Sequence, residues 1–162
     1  STFDQILFGK TDYDLSSFIL NGNEISYFQS SLPPSVNDVS DLQKISTLIS
    51  KSTSFSASWF MAISIDRVGY YPQKSDLINS VQIILTKDSS TNKSFVLYNF
   101  KEEGITYPVQ LTKIGLESTA FSNVFLSLFH NLNTTKSIDL YHSSNINTPG
   151  FYLYQTNHND SQ

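Results

Sequence analysis

The chain has no cysteine, which excludes thiol nucleophiles, zinc ribbons and a disulfide framework together. It leaves the redox compartment undecided, because a secreted domain of this size folds without bridges. Charge is scarce as well: Asp, Glu, Lys and Arg make up 15% of the 162 residues, well below the usual quarter, and Ser, Thr and Asn take their place. A surface rich in hydroxyls and amides is expected. The ten Lys and Arg are scattered singly against a net charge of -4, so a phosphate backbone finds no basic patch and nucleic acid is not expected as a partner. The six glycines are isolated, and none builds a phosphate-binding loop. No run approaches the roughly 20 apolar residues that span a bilayer, so direct membrane insertion is not expected. The N-terminal STFDQILFGK has no basic region ahead of an apolar stretch and reads as a mature or excised piece.

Apolar residues at 39% and aromatics at 14% suffice for one core, and residues 1–162 are read as a single domain. From Trp59 the chain alternates, with Met61, Ile63 and Ile65 on one side and Phe60, Ala62 and Ser64 on the other. This is the period of a half-buried strand, and Trp59 is expected to be buried, with a loss of roughly 3–5 kcal/mol on truncation. Asp66 beside Arg67 is read as an ion pair at that strand's end. After Pro72 a second strand carries Val81, Ile83 and Leu85. Ser94–Phe100, apolar on both faces, reads as a central strand forming an antiparallel hairpin with it. Residues 1–15 either add an edge strand or merely pack, and further short strands are expected at 16–20 and 24–29 around Asn21-Gly22-Asn23, and at 124–130, 137–141 and 150–155. Pro149-Gly150 marks a turn with positive φ at the glycine. Val39, Leu42, Ile45, Leu48 and Ile49 recur at helical spacing behind a cap at Ser35 or Asn37. One amphipathic helix over about 38–50, packed on the domain's own sheet, is therefore predicted. The fold class is mainly β (α+β), with antiparallel β-sandwich-like sheets.

Side chains able to do chemistry are few and dispersed. His130, His142 and His158 are the only histidines, and no two have the close spacing of a metal pair. Asp12, Asp14, Glu102 and Glu103 lack the further ligand and fixed glycine of an EF-hand. No Gly-x-Ser-x-Gly elbow presents a nucleophile. No catalytic residue, metal site or cofactor is expected. Sequons at Asn92, Asn133 and Asn159 are candidate N-glycosylation sites. Nine tyrosines admit two readings, recognition of protein or sugar and lining of the sheets with hydroxyls at the rim. Tyr70, Tyr71 and Tyr107 are the candidate recognition aromatics.

Four segments in order, Val68-Gly69-Tyr70-Tyr71, Asn79-Ser80-Val81-Gln82-Ile83-Ile84-Leu85, Ser94–Phe100 and Ser144–Tyr154, resemble the NIDO domain, the module found in nidogen, alpha-tectorin and a membrane mucin. The resemblance covers about residues 12–156. It departs from the family pattern at Gly9–Asp14 and at Tyr107, where members carry tryptophan. It implies an extracellular, secreted or ectodomain location and a non-enzymatic role in cell-matrix adhesion or matrix assembly. An extracellular matrix or cell-surface protein would be the partner, and a larger multidomain protein the setting. The alternative reading is a carbohydrate-binding module or glycan-processing domain on a β-sandwich, with a glycan as ligand.

Overall fold

The computed structural model describes residues 5–8, 24–70, 74–102, 114–118, 124–127 and 139–156. In chain order the elements are β1 (Gln5–Phe8), β2 (Glu24–Gln29), α1 (Val36–Ile49), β3 (Trp59–Tyr70), β4 (Lys74–Asp88), β5 (Lys93–Asn99), β6 (Ile114–Ser118), β7 (Val124–Ser127), α2 (Asp139–His142) and β8 (Phe151–Gln155). They form two antiparallel sheets. One has five strands in the order β2-β3-β4-β5-β8, and the other three in the order β1-β6-β7. The chain is thus mainly β, as its alternation predicts, and β5 is central as its two apolar faces require.

Period-2 alternation sorts the five-stranded sheet into two packed faces. Phe60, Ile84, Phe95, Leu97 and Leu153 meet Leu42, Ile45 and Ile49 of α1 on one face. Val81, Ile83, Val96, Tyr98 and Tyr152 gather on the other with Phe100 and Leu140. Val96, Leu97 and Tyr98 of β5 are wholly buried. Trp59 differs from expectation: it is half-buried and joins neither cluster, while the next residue, Phe60, is 3% exposed against the helix. The strand period is as read, but both faces of β3 are apolar, so the period alone does not say which one the helix covers.

The helix begins two residues before the predicted start and is capped by Ser35, whose Oγ accepts from the Asp38 N–H, with the Asp38 carboxylate accepting in return from the Ser35 N–H. The same carboxylate accepts from the Ser31 N–H and hydroxyl, which ties the β2–α1 loop to the first turn. Val39, placed on the apolar stripe by spacing, is 45% exposed. A second buried carboxylate, Asp88, organises the β4–β5 turn by accepting from Ser90 and Thr91, and it anchors the Ser56 N–H across the chain.

Hydrogen bonds from the Ser31 and Ser35 hydroxyls, in that order, hold the Asp38 carboxyl down to about 2. The Ser90 hydroxyl leads in pushing Asp88 lower still, against the opposing effect of burial. Both folded-state values lie below the ordinary carboxylate range near 4, so the stability these groups contribute is complete above that range and is lost as pH falls through it toward 2 and below. The urea midpoint is expected to be level from pH 7 to 5 and to drop between pH 4 and 2. Asp38→Asn should shallow that drop, and an unchanged slope in this variant would refute the assignment.

Two other expectations differ from the structure, and one element was not anticipated. Residues 139–142 are a short helix where a strand over 137–141 was expected, because Leu140 turns into the second cluster and its carbonyl accepts from the Tyr152 hydroxyl at 3.1 Å. Strand β6 had no expectation at all, its five residues being too short and too polar around Gly115. Asp66 pairs with Lys101 at 4.0 Å instead of with Arg67. Asp66 and Arg67 form a β-bulge, two residues opposite Ser80, with Arg67 at φ 56. Ser80 closes the bulge by accepting from the Arg67 N–H at 2.9 Å and donating to Asp66 Oδ1 at 3.0 Å. The hairpin expected at Asn21-Gly22 is described only in its second strand, β2, and residues 16–20 lie outside the described residues.

Candidate functional site

The strand registers that build the sheet also align its side chains into rows. Phe28, Ala62, Ile84, Leu97 and Leu153 stand opposite one another across all five strands. Two residues further along, the same face carries Ser26, Ser64, Gln82 and Asn99, ending at Phe151. An apolar row is therefore followed by a polar one. Asn99 Nδ2 donates to Gln82 Oε1 at 3.5 Å, and Gln82 Nε2 donates to Ser64 Oγ at 3.2 Å, so three strands are linked by a chain of neutral side chains.

Helix α1 roofs the apolar row and leaves a groove of about 440 Å³ between itself and the sheet. Ile45 and Leu48 form the helical wall, while Phe60, Ala62 and Ile84 lie beneath. Phe28 borders the groove with its ring 5.6 Å from that of Phe60, and Tyr27 beside it is 75% exposed. At the mouth Asp41 and Lys44 are joined at 2.8 Å, so they present little net charge to anything entering. A second hollow of about 280 Å³ continues past the polar row toward Asp66, Ser80 and Lys101. The two share Ser64, Gln82 and Asn99. A cleft of mainly apolar walls with a few convergent polar groups is the usual form of a binding site.

The sequence pointed elsewhere. Asn92 sits exposed in the β4–β5 turn at φ 53, a left-handed conformation that asparagine tolerates. Asn133, Asn159, Tyr71 and Tyr107 lie outside the described residues. Tyr70 ends β3 opposite Lys74, and its side chain also lies outside them. Of these candidates only Asn92 is described together with its side chain, and it is not among the groove residues. Of the other tyrosines, Tyr98 and Tyr152 are wholly buried on the face away from α1, where burial pushes the Tyr98 hydroxyl up. Lining of the sheet thus accounts for part of the tyrosine supply. His142 is exposed at the end of α2, with Tyr141 5.0 Å away, and among the described residues no three His, Asp or Glu gather as a metal site would need. No described helix is long and apolar enough to cross a membrane. The groove residues carried one signal in sequence: Gln82 interrupts an apolar strand, and only the register shows that Ser64 and Asn99 flank it.

The arrangement defines a mainly β domain with a neutral, mixed-polarity cleft between helix and sheet. Residues 11–158 match the family described as nidogen-like domain. The chain belongs to that family, whose members are extracellular, non-catalytic modules of larger proteins. Comparison with curated proteins and with solved structures returns no match.

Proposed function

We propose that this chain is a non-catalytic extracellular interaction module that serves cell-matrix adhesion or matrix assembly within a larger multidomain protein, with a matrix or cell-surface protein as its partner. Membership of the nidogen-like family over residues 11–158 carries this reading. The chemistry of the groove supports it: its polar groups are hydroxyls, amides and one paired Asp–Lys couple, whereas acid–base catalysis calls for titrating groups tuned toward neutrality. Among the described residues the two carboxylates with displaced ionisation, Asp38 and Asp88, are pushed down, away from neutrality, by the turns they hold.

An extracellular route exposes Asn92 to glycosylation, and its place at the tip of a turn leaves the side chain accessible. Expressed through a secretory pathway, the domain is expected to carry a glycan at Asn92. Enzymatic removal should lower the mass, and Asn92→Asp, which also tolerates the left-handed backbone, should reduce that fall by one N-glycan. A domain secreted in full with Asn92 unmodified would count against the compartment. Binding of the secreted domain to a purified panel of extracellular ectodomains tests the function itself, and absence of saturable binding to any of them would contradict it.

A further inference from the structure

The groove's polar row has more hydrogen-bonding capacity than the fold uses. Gln82 spends its carbonyl on Asn99 and one N–H on Ser64. One N–H on each amide, the Asn99 Oδ1 and the Ser64 hydroxyl proton are left without a partner among the described residues. Donors and acceptors are therefore presented side by side at a half-buried position, directly beyond the apolar wall formed by Ala62 and Ile84.

This inventory discriminates between classes of ligand. A phosphate or carboxylate would leave water and find no uncompensated cation among the described residues, since Lys44 is held by Asp41 at 2.8 Å and Lys101 lies against Asp66 at 4.0 Å. A sugar carries hydroxyls around most of its rim, and those set against Ile45, Leu48, Phe60 and Ile84 would lose their hydrogen bonds to water without replacement. An acyl chain suits the walls but leaves the amides unmet. A peptide bearing one large apolar side chain answers both halves: its side chain fills the apolar end, and its main-chain N–H and C=O offer the same donor–acceptor pair that Gln82 and Asn99 present. The volume of about 440 Å³ lies toward the small end of ligand pockets, the size of an anchoring side chain and its flanking peptide units.

We propose that this groove receives an extended, uncharged peptide segment of the partner protein, seated by one large apolar side chain between α1 and β3 and fixed by its main-chain amides against Ser64, Gln82 and Asn99. The proposal rests on the reading of the chain as a protein-interaction module and assigns that module its site.

Isotope-labelled domain titrated with N-acetyl-phenylalaninamide, followed by ¹⁵N NMR, tests it. The side-chain NH₂ signals of Gln82 and Asn99 and the backbone signals of Phe60 and Ala62 should shift saturably together. Ala62→Phe, which fills the groove, and Gln82→Ala, which keeps its walls, should each weaken the response at least tenfold while signals of the opposite sheet face stay in place. Methyl β-glucoside should leave all of these signals unmoved. Wild-type signals that respond only to the glucoside, or to neither probe, would overturn the peptide assignment without reference to any variant. Retained binding of Ala62→Phe to an extracellular partner protein would overturn the groove as the docking site while leaving the proposed function standing.

Discussion

Gly150→Ala is expected to destabilise the domain by about 2–4 kcal/mol, read as a fall in the urea midpoint with an unchanged slope. Two independent features of the turn into β8 require glycine. Its φ of +81° is a conformation that side chains rarely adopt, and an added Cβ would lie 2.5 Å from the Phe100 carbonyl oxygen. That oxygen cannot yield easily. Gly150 donates to the Ser143 carbonyl and its own carbonyl accepts from the Phe100 N–H at 2.8 Å, so the two backbones are held together at this point. Asparagine, which accepts positive φ, still carries a Cβ, so Gly150→Asn should restore little of the loss. A loss below about 1 kcal/mol in both variants would show that the turn is misassigned. The next residue, Phe151, closes the far end of the groove, so the strain reaches the groove as well.

Phe60→Ala should cost about 3–5 kcal/mol, the range for removing a buried aromatic ring from a close-packed core. Phe60 is 3% exposed, packs among the α1 side chains and meets the Phe28 ring. Its neighbour Trp59 is half-buried outside both clusters, and Trp59→Ala should cost about 1–2 kcal/mol despite deleting the larger side chain. The Thr86 hydroxyl bonds to the Trp59 main-chain carbonyl and survives the truncation. Chemical denaturation of the pair decides which face of β3 the helix covers. Equal losses, or a larger loss at Trp59, would reverse the facing of the strand and remove the groove floor with it.

Strands β3, β4 and β5 and helix α1 were legible because each repeats a hydrophobic period for long enough to exclude the alternative. Gly150 was legible because Pro-Gly narrows the turn to a few backbone states. Strand β6 and helix α2 were not, since four or five residues are too few to establish a repeating pattern and Leu140 takes its conformation from the packing it enters. The groove was the least accessible feature. Ser64, Gln82 and Asn99 are far apart in sequence and polar in a chain full of hydroxyls and amides. Only the pairing of Ser64 with Gln82 and of Gln82 with Asn99 makes them one row. Sequence instead drew attention to tyrosines, and Tyr98 and Tyr152 turned out to be core. The bulge at Asp66–Arg67 is hidden for a related reason: adjacency suggests an ion pair, whereas the register sets Ser80 opposite both residues, bonded to each.

Docking of another extracellular protein through the helix–sheet surface, as proposed, is decided by probing paired arrays of purified ectodomains and of glycans with the secreted domain and its Ala62→Phe variant. Saturable binding to a protein ectodomain is expected, unaffected by enzymatic deglycosylation of that partner and at least tenfold weaker for the variant. Binding confined to the glycan array, with every ectodomain silent, would contradict it.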